Sequence, residues 1–359
     1  MSWQLPRLGI DPITRKRLQR FRQIKRGWRA FLILLVLTIL SLFSDFIANR
    51  RAILVWYEGR PYFPTFHFYD MATFDQVDDW GFDDAEADYV ALGERLAAEG
   101  GGFVLMPPIP FDPYEPDFSY DEPPPNPPDR HHWLGTDSQG RDVLARLLYG
   151  FRISIFFALC VVAIGQTVGT IVGSLQGFLG GWFDIGSQRV IEVWASMPFL
   201  YVVILLGSLP YLTPGFWTLL GIMVLFDWIS ITYFMRTEMY REKTREYCLA
   251  ARSFGASKRR LIFKHLIPNC LTPLVTFTPF RIVIAIFSLT SLDYLGYGLP
   301  APTPSWGEMI QQALQSANRG KLWLSLSPFG AISFTLILVT LIGESIREAF
   351  DPKQYARYK

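Results

Sequence analysis

The chain has 359 residues, 50% of them hydrophobic and 16% aromatic, with only 18% charged and a formal net charge of +2. That balance excludes a disordered or wholly solvated chain and implies membrane spans interleaved with polar segments. Three cysteines, Cys160, Cys248 and Cys270, stand at spacings that fit no metal site, and none lies in the polar stretch 50–150, which excludes a disulfide framework there.

About 20 apolar residues cross a bilayer as a helix. The first candidate is Trp28–Ile47. Its polar lead is too long for a signal peptide and no A-x-A site follows, so it reads as an anchor. Ile153–Phe183 is uncharged and predicts a span at Ile153–Leu175, with a turn at Gln176-Gly177-Phe178-Leu179-Gly180-Gly181. Val193–Phe226 is uncharged too, and Ser208-Leu209-Pro210-Tyr211-Leu212-Thr213-Pro214-Gly215 divides it into two spans, because each proline removes a backbone donor. A fifth span covers Cys270–Leu292 and a sixth Leu322–Gly343. The expected fold is an all-α polytopic membrane protein with six transmembrane helices and a large irregular insertion between the first two.

Lysine and arginine set the orientation. Residues 1–29 hold nine of them, and 236–268 another nine against three acids, whereas 50–150 hold seven against 19 acids. The basic N-terminus (1–29), the loop 236–268 and the tail (344–359) are therefore expected in the cytoplasm. The first span takes 30–48, the insertion 49–152 lies outside, and 153–343 form the core.

Within the insertion, Asp83–Gly100 is expected to hold a short helix. Pro107–Asp129, rich in proline and acid, is expected to be extended. It reads as a solvated, poorly packed segment, or else as a docking surface on which Phe111, Tyr114, Phe118 and Tyr120 find something to pack. The adjacent His131 and His132 lack further ligands at a suggestive spacing and do not read as a metal pair.

The stretch Glu246–Asn269 predicts a short helix, Glu246–Ser253, a left-handed Gly255, a cap at Ser257 and a basic second helix, Lys258–Ile267, seated on anionic lipid. Pro268 opens the next span. Such a device suits a handle for a cytoplasmic partner, although an ordinary positive-inside loop has the same composition.

Here the chain resembles a family. Glu246–Asn269 is similar to the cytoplasmic coupling loop of ABC-importer permeases, with Ala250, Ala251, Gly255 and Pro268 at matching offsets. Leu249 stands where that family usually has a glutamate, so Glu246 is expected to supply the charge, and His265 replaces a usual aliphatic residue. Trp133–Ser154, Ser291–Ile310 and Leu341–Lys353 resemble signatures of the oligopeptide/dipeptide subfamily. The long acidic insertion and the variant SLDYLGYGLP further resemble E-type permeases of the Yej importers, a group that carries oligopeptides and the peptide–nucleotide microcin C.

The resemblance implies a non-catalytic inner-membrane permease subunit that moves peptides inward, with the insertion in the periplasm. Implied partners are a second permease, ATPase subunits that bind ATP and Mg, a periplasmic peptide-binding protein and membrane lipid, with no nucleic acid. The chain itself carries no G-x-x-x-x-G-K-[ST]: Gly320-Lys321 is followed by Leu322. A proton- or sodium-coupled transporter would need ionisable residues on its path, and Glu192, Asp227 and Arg281 are the candidates. A membrane hydrolase finds no nucleophile–base pair or H-E-x-x-H here.

Arg281 is the sharpest of these residues. Twelve uncharged residues precede it (Asn269–Phe280) and 11 follow (Ile282–Leu292). A cation at that depth costs at least about 3 kcal/mol on insertion scales. Asp293 is too far along the helix to pair with it, so Arg281 must meet an acid, a carbonyl or cavity water elsewhere. It is expected either to face the translocation pathway, where a peptide carboxylate or phosphate suits a guanidinium, or to form a structural ion pair.

Overall fold

The computed structural model describes residues 12–77, 83–209, 211–212 and 215–351. The basic lead forms α1 (Pro12–Gln23); α2 (Lys25–Leu42) and one further turn, α3 (Ser44–Ile47), are helical over the residues of the expected first span. A unit of its own follows, with β1 (Leu54–Tyr57), β2 (Arg60–Tyr62), α4 (Tyr89–Glu99) and β3 (Phe103–Leu105). The bundle comprises α5 (Val143–Leu179), α6 (Gly181–Ala195), α7 (Phe199–Gly207) and α8 (Phe216–Glu242). It continues through α9 (Glu246–Ser253), α10 (Lys258–Arg260), α11 (Ile267–Tyr294), α12 (Trp306–Ala313) and α13 (Leu322–Phe350).

Among the described residues, four helices are long and apolar enough to cross a membrane: α5, α8, Leu274–Tyr294 of α11, and α13. The pair α6–α7 makes a fifth if it is one span. The second expected span is longer than its apolar stretch, because Asp142 caps α5 already at Val143 by accepting from Ala145 N at 2.6 Å. The glycine-rich turn expected at Gln176–Gly181 shrinks to Gly180 and Gly181, the two residues there with positive φ. Gly177 remains helical, and a Cβ there would come within 2.6 Å of the Arg236 carbonyl on α8.

That approach is one of a series. Gly165, Gly169, Gly173 and Gly177 recur every four residues along the face of α5 that meets α8, and a Cβ at any of them would collide with that helix. Small residues at this spacing let two backbones come close, the source of dispersion contact between helices in lipid. Around this pair, Phe157 and Val161 of α5, Leu219 and Met223 of α8, Ile286 and Leu289 of α11, and Trp306 of α12 close the main core.

The expected break at Ser208–Gly215 is found between α7 and α8, though Pro210, Thr213 and Pro214 lie outside the described residues. A second break, hidden in the apolar run, bends α6 against α7 by 74° at Ser196-Met197-Pro198. Pro198 caps α7 and has no N–H to continue α6.

The insertion is not irregular throughout. β1 is the centre of an antiparallel sheet of order β2-β1-β3, with Val55 opposite both Tyr62 and Val104. Glu58 and Gly59, both at positive φ, make its two-residue hairpin turn. Val55, Phe74, Tyr89, Leu92 and Leu96 give the unit a core of its own. Strands of three or four residues are too short for their alternation to stand out in sequence. The expected helix at Asp83–Gly100 is α4, capped by Asp88.

Pro107–Asp129 has no helix or strand, as expected, but it is not poorly packed. Phe111 stacks on His132 at 3.9 Å, Tyr114 meets Tyr149 edge-on and Tyr120 leans on His132. Phe118 is left 75% exposed.

Candidate functional site

Three sets of polar residues stand out against the apolar bundle. The first is the segment after α8. Its helix α9 forms where the sequence places it, with Glu246 in the first turn and Arg252 in the last, each on the favourable end of the helix dipole. Buried Glu242 holds its start: the carboxylate pairs with Arg245 at 2.9 Å and accepts from Tyr247 Oη at 2.9 Å. Cys248 is buried with Met239, Leu261 and Leu266, and Ala251 packs at the edge of that group. The opposite face, Glu246, Leu249, Ala250 and Phe254, is exposed, Phe254 at 91%. Gly255 ends the helix at φ +77° with open space around it, so its glycine answers to backbone conformation alone.

The second expected helix differs from expectation. Ser257 caps α10 through Arg260 N, but Leu261–Leu266 then widen into a π-helix that runs directly into α11. A π-turn shifts the hydrogen-bond register, which suits a rod that must absorb the missing N–H of Pro268. Nor is this helix simply seated on lipid: Leu261, Ile262 and Leu266 are buried in the protein and Phe263 is exposed. Of the five residues singled out for coupling, Glu246, Ala250, Ala251 and Gly255 share α9 and its end, while Pro268 belongs to the first turn of α11.

Arg281 is the second feature. Its guanidinium donates to Ser230 Oγ at 2.6 Å and to the Asp227 carbonyl at 2.9 Å, and it pairs with the Asp227 carboxylate. The required acid on another helix is therefore Asp227 of α8. Arg281 is 8% exposed, and its Nε is buried without a hydrogen-bond partner among the described residues. The pair lies on the wall of a cavity of about 250 Å³ that Phe199, Phe226 and Ser288 also line. Glu192, another candidate, pairs with Arg189 at 2.5 Å.

The third set was not legible as a site. Arg141 and Arg146, both buried, meet Asp137 and Glu308 in one network. Arg146 donates to Glu308 at 2.7 Å and to the Pro113 carbonyl at 2.9 Å, which ties the proline-rich segment and α12 to the head of α5. Beside it His132, buried, bonds Asp142 at 2.7 Å and Asp117 at 3.1 Å. Burial opposes its charge, but the hydrogen bonds to these two carboxylates outweigh that and raise its pKa above the ordinary histidine value. The two histidines thus differ: His132 is a buried ion-pair partner, and His131 sits on the wall of a surface hollow. At the C-terminal end of α11, Asp293 accepts from Ser305 Oγ at 2.5 Å and Leu299 N at 2.7 Å, shaping the loop before α12.

A family described as the binding-protein-dependent transport system inner membrane component matches residues 169–354, from the glycine stripe of α5 to the tail. The chain belongs to that family. Its relatives match beyond that region. An inner membrane ABC transporter permease protein, YejE, of Escherichia coli is 41% identical over 345 residues, which cover 96% of this chain and 98% of that one. The peptidoglycan transport system permease protein YejE of Agrobacterium fabrum is 38% identical over 97% of this chain and 95% of its own length. OppC, an oligopeptide transport system permease of Bacillus subtilis, is 36% identical over 63% of this chain and 73% of its own. The expected resemblance is thus borne out for the ABC permease family and its peptide-transport branch. This permease is an inner-membrane component of a transport system that works with a binding protein.

Proposed function

We propose that this permease carries oligopeptides or peptide-like compounds inward through a pathway it shares with a second permease, driven by separate ATPase subunits that bind ATP and Mg. Delivery falls to a periplasmic peptide-binding protein. The observation that carries the reading is α9: a short helix fixed by Glu242 and Cys248 on one side and uncovered along Glu246, Leu249, Ala250 and Phe254 on the other. That face is the handle on which an ATPase pulls, with Glu246 as its acidic contact. The oligopeptide and peptidoglycan systems named for the relatives support the substrate class, and the peptide–nucleotide microcin C is the compound of that class to test first.

Gly255→Val tests the coupling. A β-branched residue at φ +77° strains the backbone by about 1–2 kcal/mol without touching a neighbour, so the protein should insert and assemble normally. Peptide uptake should fall at least tenfold while ATP hydrolysis continues. Normal uptake by the stably assembled variant would sink the coupling role.

Six spans complete the arrangement: α2 with α3, α5, the bent α6–α7, α8, α11 and α13. Support comes from which ends pack together. Phe21 and Ala30 meet Ile342 and Ala349, and Arg26 pairs with Glu348, so the two chain ends expected in the cytoplasm share one end of the bundle. The insertion and α12 share the other through Arg146 and Glu308. A cysteine in place of the exposed Ser119 should react with an impermeant thiol reagent from the periplasmic side; labelling only after lysis reverses the topology. Coupling by protons or sodium has less to work with, because Asp227 and Arg281 neutralise one another and Glu192 is paired.

Arg281 is the pathway residue of this scheme. It borders a cavity and keeps one buried donor, Nε, unengaged, which a carboxylate or phosphate on the substrate can take. Arg281→Gln should leave assembly and ATPase activity intact and shift uptake away from anionic peptides relative to neutral ones. Falling subunit levels with equal loss for all substrates would make the Asp227 pair purely structural.

A further inference from the structure

A second cleft, of about 490 Å³, lies between the external α/β unit and the head of the bundle. Asn49 and Arg51 of the linking chain, Tyr89 of α4, Asp112 of the proline-rich segment and Arg152 of α5 all contribute to its wall. Its charges do not cancel. Arg50 pairs with Glu115 at 3.1 Å, Arg51 with Glu86 at 2.6 Å, and Arg152 with Asp45 at 3.1 Å. Two lining carboxylates, Asp88 and Asp112, form no salt bridge among the described residues, although Arg51 is near enough to act on Asp112. Each uses Oδ1 for backbone N–H groups, of Val90 and Ala91 for Asp88 and of Tyr114 and Glu115 for Asp112. That leaves the second carboxylate oxygen of each available.

An independent sign of a ligand is Tyr89. It is 2% exposed, and its hydroxyl is buried without a hydrogen-bond partner among the described residues. A buried hydroxyl left unpaired costs about 1–3 kcal/mol, so a ring that could have been phenylalanine carries an oxygen for which the free chain shows no use. Burial raises the pKa of Asp112 and Tyr89, and Arg51 only partly opposes it. No group of acids, cysteines and histidines among the described residues is arranged to hold a metal ion, which directs attention to an organic cation.

We propose that this cleft binds the amino terminus or a basic side chain of a short peptide, through Asp88, Asp112 and the Tyr89 hydroxyl. The choice of a peptide rests on the peptide-import reading; the need for a cation rests on the cleft alone. Bound there, the peptide would be held at the head of α5 before it reaches the spans, and peptides with amines would be favoured over acidic ones.

The test uses the full chain in lipid nanodiscs, with fluorescently labelled trilysine as the probe and triglutamate as competitor. Asp88→Asn together with Asp112→Asn keeps the backbone hydrogen bonds and removes the charge. Trilysine binding should weaken at least about tenfold, equivalent to 1.4 kcal/mol. Tyr89→Phe should weaken it by itself and leave the folded yield unchanged. Triglutamate should not compete. Unchanged binding in the double variant, effective competition by triglutamate, or binding that appears only when the periplasmic binding protein is added would each overturn the proposal; the last would make the cleft a protein dock. Uptake by the assembled importer separates the two readings. An importer that takes up trialanine and trilysine with the same preference before and after the double substitution defeats the cleft and spares peptide import. A wild-type importer that takes up no peptide defeats peptide import, whatever the nanodisc result.

Discussion

Gly169→Leu is expected to leave little folded permease in the membrane. A Cβ at Gly169 would lie 2.6 Å from the Trp228 carbonyl and 2.7 Å from Ile231 Cβ, closer than such atoms approach in folded proteins. Helix propensity alone favours replacing an interior glycine, by about 1 kcal/mol for alanine. Steric overlap wins, because the obstacle is backbone and cannot rotate away. Overpacking by a single methylene costs about 1–3 kcal/mol, and leucine adds several. The only relief is for α5 and α8 to separate, which also breaks the approach of Gly173 and Gly177 and the bond from Thr232 Oγ1 to the Gly169 carbonyl. Gly221→Leu is the control, since that glycine is exposed on α8 with nothing within 4 Å. Monodisperse yield in detergent should collapse for Gly169→Leu and stay near wild type for Gly221→Leu. Equal yields would show that the glycine stripe does not set the helix distance.

Arg146→Met should be the most damaging change at the head of the bundle. Arg146 is fully buried, and methionine matches its stem but offers nothing to Glu308, Pro113 or Asp137. Breaking a buried pair from one side costs about 3–5 kcal/mol, mostly for the charge left behind. Two acids would then share Arg141. Adding Glu308→Gln removes the excess charge and leaves Asp137 and Arg141 as a balanced pair at 2.7 Å. The double variant should therefore be more stable than Arg146→Met alone, measured by thermal unfolding in nanodiscs. If the two losses simply add, the network is a set of independent contacts. Protease cleavage near Pro113 and Pro302 should rise in the single variant, because both carbonyls lose their donor.

What the sequence disclosed follows from how local each signal is. Helix α9 was legible to its boundaries because its end, Gly255, and the next cap, Ser257, lie within a few residues of it. Arg281 could be said to need an acid elsewhere, but Asp227 stands 54 residues earlier and only helix packing pairs them. The bend at Pro198 was masked by apolar residues on both sides, since a single proline in a hydrophobic run reads as part of a span. The Arg141–Glu308 bond joins positions 167 residues apart, and the cleft around Asp112 is assembled from separate elements, so neither leaves a spacing to read.

The uninterrupted helical path from Lys258 through the π-turn to Tyr294 has a mechanical meaning. At 1.5 Å per residue it is a beam on the order of 50 Å long. One end is footed beside α9 through Leu261 and Leu266; the other grips the Leu299–Ser305 loop through Asp293. A beam pivoting between such anchors converts a displacement at its foot into a tilt at its tip. The π-turn is the one place along it where the winding is loose, and there the beam can yield by a fraction of a turn without snapping.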